Sequence, residues 1–428
     1  MCRGGLKRGK RYMILAKFAL CVSLTLFSAW VLFFLRNKAY EIRAYKLLIA
    51  GVIVAKALAI IAIYTFYPDL NTSSDAVLYY YPQAQNVLSG QVPYRDFISH
   101  YSFLFPVLLA PALRLWQSVG AVVFTMFFLE TLMILLYLSQ RDQADSLNRW
   151  RVGFLYSFSP LSVYWIDIVG YNGSIIALFT MASLIFAQRK RDSLSVAFAV
   201  LGFLLSKLLM FLSYPAILFF GRRNRIRRTL LAAAAIAGYY ALFAVSGVDI
   251  FHPIEHEMAT VSSGNIWFLL SPFMPAGFHA TWFWNYGSIL SFALLCVPMT
   301  ILYLRATDAK RQNEFNAAIA FVAAVNLAFF ILSKKSYTFY MPMAFIFILH
   351  TLIVRHKDNA ALLRALVPVF FLSATTTLES NLDRMISEGH LTNGSVQMSG
   401  LWIIDFITIA CYGYLMIVCF RASFRRIE

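Results

Sequence analysis

The sequence predicts an all-α polytopic membrane protein, and its composition, the length of its apolar runs and its charge distribution support this fold class. Hydrophobic residues make up 60% of the 428 residues and charged residues only 13%, whereas about a quarter of a soluble domain is charged. Apolar runs of roughly the 20 residues that cross a bilayer as a helix recur along the chain. Because lipid offers no partner to backbone polar groups, these runs are expected to be helices.

The apolar runs predict a bundle of about 11 to 13 transmembrane helices. The run at 193-220 is long enough for two short helices. The chain shows no internal repeat and no low-complexity linker, so residues 1-428 are predicted to form a single transmembrane domain. The other runs lie at 13-35, 46-66, 118-138, 152-167, 174-188, 229-247, 285-304, 316-333, 338-354, 361-376 and 401-420.

The formal net charge is +17, and the distribution of the basic residues along the chain marks one side of a membrane and does not indicate a nucleic-acid partner. Lys and Arg concentrate in alternate loops, and short basic loops stay in the cytoplasm. This rule predicts outward loops at 68-100, 248-283 and 377-400. The loop 68-100 is outward if 102-116, which two prolines interrupt, only dips into the membrane, and cytoplasmic if that segment crosses. We expect a multi-pass protein of a bacterial inner membrane, or of the endoplasmic reticulum in a eukaryote.

The first outward loop combines a helix signal with a turn signal. Its apolar and tyrosine residues keep a helical spacing from Ala76 to Leu88, and Gly90 follows where a C-terminal glycine belongs. The pattern predicts a tyrosine-bearing helix along the outer interface, where amphipathic rings are favoured. The stretch "GQVPYRDF" then turns the chain back toward the membrane. The alternative is a solvated loop that tyrosines anchor to the interface.

The order of motifs from this loop onward resembles the GT-C glycosyltransferases, in particular the polyprenyl-phosphate-mannose-dependent and bacterial DUF2029-type members. The resemblance covers about residues 46 to 354. "GYNGS" departs from the family pattern because it lacks the usual Gln and Asp. The motifs, in chain order, are an Asp, Tyr and Leu-x-Gly series with "VPYRDF", "SPLSVYWIDIVGYNGSIIAL", "LLSKLLMFLSYPAILF", "GNIWFLL" and "KKSYTFYMPM".

The resemblance implies an inverting hexosyltransferase that works on the outer or lumenal face of the membrane. Its donor would be a sugar on a polyprenyl phosphate, with mannose as the first candidate, and its acceptor a glycan or a lipid-linked molecule. In such enzymes a loop carboxylate takes the proton from the acceptor hydroxyl. By position in the motif Asp75 matches this base, and Asp96 and Asp69 are the reserves. The alternative role of Asp75 is a helix cap.

Three lysines are candidates to bind the donor phosphate. Lys207 lies inside an apolar run, where an ionisable side chain is costly and indicates function. Its alternative is to reach toward the membrane surface. Lys334 and Lys335 break the sign rule for outward loops, and they could bind the same phosphate or anionic headgroups.

Further candidates come from polar residues near the expected outer face. Lys56 and Glu130, both within apolar runs, are expected to pair or to act in catalysis. No cofactor is expected, and a metal at His252 and His256 with Glu255 is a weaker alternative. The candidate substrate-binding residues are Tyr79, Tyr94, Arg95, His100, Asp167, Asn172 and Tyr337.

Two rival functions remain open at the level of sequence. A polysaccharide polymerase or O-antigen ligase is also polytopic, but it depends on outward arginines and histidines, and the three outward loops hold only Arg95 and Arg384 as arginines. A transporter or flippase would more often show related halves and paired broken helices, and neither pattern is found here.

Overall fold

The computed structural model describes most of the chain, and the described part is helical. The described residues are 3–35, 40–67, 74–140, 146–221, 224–245, 263–270, 273–274, 281–308, 314–356, 359–387 and 400–424. Within these ranges the structure contains no β-strand, and the one isolated bridge joins Pro93 to Phe97. The all-α prediction is confirmed for this part of the chain.

Fourteen described helices have eight residues or more. Most of their ends lie within a few residues of the apolar runs, whereas α1 begins ten residues before its run and α13 ends eleven residues after its run. They are α1 Arg3–Phe34, α2 Glu41–Phe66, α3 Tyr81–Leu88, α4 Leu104–Leu115, α5 Val119–Leu138, α6 Ser146–Ser157, α7 Gly173–Gln188, α8 Asp192–Leu205, α9 Arg225–Val245, α10 Trp282–Asp308, α11 Glu314–Leu332, α12 Pro342–Arg355, α13 Asn359–Ser387 and α14 Gly400–Ala422.

The chain is a multi-pass integral membrane protein. In the described ranges eight helices are long and apolar enough to cross a membrane, namely α1, α2, α5, α9, α10, α11, α13 and α14. A ninth candidate is a pair bent by 115°, formed by Pro160–Ile168 and α7. The bend lies in the "GYNGS" segment, where Gly170 has a φ of +78° that other residues rarely adopt.

Four shorter apolar segments complete the bundle: α4, α8, Leu208–Leu218 and α12. The predicted division of 193-220 into two short helices is confirmed, since α8 ends at Leu205 and Leu208 begins the next helix. The 12 residues of α4 extend about 18 Å, less than the hydrocarbon core of roughly 30 Å. This length favours the alternative in which 102-116 dips into the membrane without crossing it.

The helices divide into a buried centre and a lipid-facing periphery. Of the most apolar window of α11, 83% is buried inside the protein, against 17% for α9 and 22% for α2. Large apolar side chains such as Leu230, Leu294 and Phe406 are exposed on peripheral helices, which a membrane protein requires because its outer surface faces lipid.

A buried charge cluster joins three segments of this bundle. Lys56 Nζ of α2 lies 3.2 Å from Glu130 Oε2 of α5 and 2.8 Å from Asp167 Oδ2, and it donates a hydrogen bond to Ser162 Oγ. All three charged side chains are buried. The expected pairing of Lys56 with Glu130 is confirmed, and Asp167 is a third member that the sequence did not predict.

We expect Lys56→Met to destabilise the protein by about 3 to 5 kcal/mol, because it leaves two carboxyl groups buried without their cation. The matched control is Lys46→Met on the same helix, which removes an exposed lysine. Thermal unfolding in detergent compares the two variants with the parent. Equal melting of both variants would show that the cluster contributes nothing to stability.

The predicted topology is tested by thiol labelling in intact cells. A cysteine in place of the exposed Gln85 should react with an impermeant maleimide, whereas one in place of the exposed Arg189 should react only after lysis. The unsubstituted protein gives the background; four of its cysteines, Cys21, Cys296, Cys411 and Cys419, are buried or half-buried. Labelling of residue 189 with protection of residue 85 would reverse the orientation.

Candidate functional site

The first loop forms the expected tyrosine-bearing helix. A π-helical turn, Ala76–Tyr80, continues into α3, which carries Pro82 near its start. The chain then leaves the helix through Gly90, whose φ is +87°. The structure therefore places Asp75 immediately before a helix, in the position that a cap would occupy.

Asp75 nevertheless does not act as a side-chain cap. Its carboxylate makes no hydrogen bond to the first turn of the helix. Instead Asp75 Oδ2 accepts a hydrogen bond of 3.0 Å from the hydroxyl of Tyr101, at the other end of the same loop. Because the cap interaction is absent, the alternative structural role of Asp75 finds no support in this geometry.

Tyr101 connects Asp75 to Lys207. The Nζ of Lys207 lies 4.6 Å from the centre of the Tyr101 ring and 5.4 Å from that of Tyr340. Burial and the neighbouring Asp75 raise the pKa of Tyr101 well above its usual range, so its hydroxyl keeps the proton that it donates. One phenol thus contacts the carboxylate with its hydroxyl and the ammonium with its face.

Aromatic packing fixes the orientation of the Tyr101 ring. The ring lies edge-on to Tyr80 at 4.9 Å and against Phe105 at the same centroid distance. Tyr80 also packs edge-on against Phe105 at 4.8 Å, so the three rings form a closed cluster. Sequence reasoning missed Tyr101 because only the tertiary structure brings residues 75, 101 and 207 together.

A break between two short helices positions Lys207. The residue is extended, with φ −147° and ψ 167°, between the end of α8 and Leu208–Ser213. Two hydrogen bonds join the end of the first outward loop to this break. The Ser102 N–H donates to Ser206 O at 3.2 Å, and Ser102 Oγ donates to Phe203 O at 2.6 Å. Lys207 is only 8% exposed, so its charge is held inside the protein.

A cavity of about 150 Å³ lies beside this arrangement. It combines two cations with phenol and imidazole groups on otherwise apolar walls. Hydroxyl, imidazole and ammonium groups can all donate hydrogen bonds, so the lining suits an anion that carries an apolar chain. The lining residues are Tyr94, His100, Ser102, Phe203, Lys207, Leu208, Leu209, Tyr239, Tyr240, Phe329, Ser333, Lys335 and Tyr340.

The turn at 90-97 brings Tyr94 to this cavity and holds Asp96 away from the lining. Tyr94 has a φ of +65°, which is uncommon for a residue with a side chain, and its hydroxyl donates to the Tyr101 carbonyl. Asp96 Oδ2 accepts from the backbone N–H of Val92 at 2.7 Å and from Arg95 at the same distance. The Arg95 hydrogen bonds and that backbone bond lower the pKa of Asp96 to about 2.

Of the remaining candidate residues in the loop, some line the cavity and others do not. His100 lines the cavity, and Tyr79 packs edge-on against it with ring centres 5.5 Å apart. Arg95 is exposed and is used in the turn with Asp96. Tyr79 and Arg95 therefore support the loop, whereas Tyr94 and His100 face the cavity itself.

The two lysines after α11 take different positions. Lys335 lines the cavity. Lys334 lies over the Trp284 ring at 5.5 Å, and burial lowers its pKa. Tyr337 stacks on Phe339 with ring centres 4.4 Å apart and does not line the cavity. Of the three predicted phosphate ligands, the structure brings together Lys207 and Lys335.

The "GYNGS" turn lies behind Asp75. A Cβ on Gly170 would come within 3.0 Å of the Cβ of Ala76, so the turn packs directly against the start of the loop helix. Asn172 is fully buried, and neither atom of its side-chain amide has a hydrogen-bond partner in the described structure. Asp167, predicted to bind substrate, lies instead in the charge cluster with Lys56.

Metal binding finds no support in the described residues. No group of three His, Cys, Asp or Glu side chains in these ranges is arranged to hold an ion. The alternative metal residues His252, His256 and Glu255, like the reserve base Asp69, lie outside the described residues.

Comparison with protein-family models, with curated proteins and with solved structures finds no match for this chain.

Proposed function

We propose that the protein is an inverting GT-C-type glycosyltransferase that transfers a hexose from a polyprenyl-phosphate carrier to a glycan or a lipid-linked acceptor. Mannose is the first candidate sugar. The observation that carries the proposal is the contact series Asp75–Tyr101–Lys207, whose lysine lines an aromatic cavity together with a second cation, Lys335. In this series a single tyrosine connects a carboxylate to a cation that can bind phosphate.

The Asp75 carboxylate and the two lysines have different roles in the proposed reaction. Asp75 accepts the proton of the acceptor hydroxyl as the oxygen attacks the anomeric carbon. The bond from that carbon to the phosphate oxygen breaks on the opposite side, and the electron pair leaves with the polyprenyl phosphate. One such displacement inverts the anomeric configuration. Lys207 and Lys335 stabilise the charge on the departing phosphate, and their fixed positions hold the donor for in-line attack.

The surroundings of the cavity suit the rest of the donor. Tyr239 and Tyr240 on α9, together with Phe203 and Leu208, form apolar walls beside the cations. Phe243 on α9 packs against Phe103 with ring centres 4.6 Å apart. It extends the apolar surface along α9, whose outer side faces lipid. A polyprenyl chain can follow this surface while its phosphate stays with the lysines.

The helix inventory supports a GT-C-like bundle of about 11 to 13 crossings. The described ranges hold nine candidate crossings, namely eight long helices and one bent pair, and the short apolar segments α8, Leu208–Leu218 and α12 supply further elements for that number. We place the site on the outer face of a bacterial inner membrane, or on the lumenal face of the endoplasmic reticulum, since the positive-inside rule puts loop 68-100 there.

Asp75→Asn should fold and bind donor normally but transfer sugar at least about a hundredfold more slowly, because an amide cannot take the hydroxyl proton. Asp96→Asn is the control on the same loop. Its carboxylate serves the 90-97 turn, so transfer should stay within about threefold of the parent. Sugar transfer from a polyprenyl-phosphate donor is measured for both. An active Asp75→Asn beside an inactive Asp96→Asn would move the base to the other acid.

Lys207→Met should raise the apparent Kd for the donor by roughly tenfold to a hundredfold, because a hydrogen bond to a charged group contributes about 1.5 to 3 kcal/mol. Lys334→Met is the matched control, since this lysine is adjacent to Lys335 but does not line the cavity. Donor titrations of transfer activity measure both. Equal loss in the two variants, or no loss in Lys207→Met, would contradict the phosphate assignment.

A further inference from the structure

A second cavity lies at the opposite end of the helices that build the first. Three helices contribute residues to both cavities: α8, α9 and α11. On α9, for example, Arg227 and Arg228 line the second cavity and Tyr239 and Tyr240 line the first. The 19 residues of α11 extend about 28 Å, close to the thickness of the hydrocarbon core. The two cavities therefore open near opposite surfaces of the membrane.

The second cavity has an excess of positive charge. It measures about 730 Å³, within the range of roughly 300 to 1,000 Å³ typical of small-molecule sites. Its lining carries four cationic side chains, Lys190, Arg191, Arg227 and Arg228, against the carboxylates of Asp192 and Glu314. The lining thus has two positive charges more than its carboxylates neutralise.

One of these cations, Arg228, is buried and held in place by other groups of the protein. Arg228 is 1% exposed, and its guanidinium donates to the carbonyls of Ile217 and Phe220 and lies 3.7 Å from Asp192. Asn224 donates to Asp192 Oδ2 at 2.5 Å, so the same carboxylate joins two turns of the cavity. The wall is therefore ordered before any ligand arrives, which lowers the cost of binding.

The backbone around this cavity is also unusual. Lys190 and Asn224 have φ angles of +58° and +61°, and both line the cavity. The other non-glycine residue with a positive φ in the described ranges is Tyr94, which lines the first cavity. Such conformations cost free energy and are concentrated at binding sites. Lys190 takes the position after a helix where glycine is usual, and this places an ammonium group there.

Apolar side chains beside the cavity indicate which anion it takes. Leu194 is part of the lining and is 41% exposed, and Ile226 and Leu230 next to the lining arginines are 78% and 64% exposed. These side chains belong to the lipid-facing surface of the bundle, so a lipid can place its phosphate on the cations of the cavity and its chains along these residues.

We propose that this cavity binds the phosphate headgroup of an anionic membrane lipid, with Lys190 and Arg227 as its cationic ligands and the paired Arg228 ordering the wall. The lipid lies in the membrane leaflet opposite the transfer site, which the positive-inside rule makes the cytoplasmic one. This site is separate from the donor site, and its occupancy does not depend on the proposed transfer reaction.

The test titrates the detergent-solubilised full chain with phosphatidylglycerol and with phosphatidylcholine, followed by native mass spectrometry. Phosphatidylglycerol should bind at least about tenfold more tightly than phosphatidylcholine, because only the former has a net negative headgroup. Lys190→Gln and Arg227→Gln, both at exposed positions, should each weaken phosphatidylglycerol binding by about tenfold. Melting temperatures near that of the parent establish that the variants are folded.

A matched control makes the result specific. Arg305→Gln removes an exposed arginine at the same end of the bundle that does not line the cavity, and it should bind phosphatidylglycerol as the parent does. Equal binding of the two lipids, or equal loss in Arg305→Gln, would overturn the proposal. Displacement of phosphatidylglycerol by inorganic phosphate at a similar affinity would also overturn it, since a soluble anion would then be the ligand.

Discussion

The ammonium group of Lys56 holds together the part of the bundle behind the proposed transfer site. A charge buried at membrane depth is costly unless it is paired, so its contacts with Glu130 and Asp167 fix α2, α5 and the segment Val163–Ile168 relative to one another. That segment continues into the "GYNGS" turn, and Gly170 of the turn packs on Ala76, next to Asp75. The position of the proposed base therefore depends on a charge pair deeper in the membrane.

Two groups of cationic side chains lie at opposite ends of the same helices. At one end, Lys207 and Lys335 lie among tyrosines, and Tyr101 connects Lys207 to the Asp75 carboxylate. At the other end, arginines and a lysine surround a larger cavity that has apolar side chains at its rim. In the proposed function the first arrangement supplies the base and the cations for the donor phosphate, whereas in the proposed lipid site the second supplies cations for binding. The difference follows from the side chains, since both ends are built on the same helices.

Much of the fold and part of the site could be predicted from the sequence. The helices could be predicted from the length of the apolar runs. Lys207 and the Lys56–Glu130 pair could be singled out because an ionisable side chain in such a run is costly and indicates pairing or function. Tyr101 could not be predicted, because its role depends on contacts between residues 75, 101 and 207 that have no local pattern. The same limit applies to Lys334 and Lys335, which are neighbours in sequence but point to different surroundings.

A cryo-EM structure of the protein in nanodiscs with polyprenyl phosphate tests the assignment of Lys207 and Lys335 to the donor phosphate. We expect phosphate density in hydrogen-bond reach of Lys207 and Lys335, with the Asp75 carboxylate facing the same space and the polyprenyl chain running along α9 toward lipid. Phosphate density in the basic cavity at the opposite end of α9, with the space beside Lys207 empty, would contradict it.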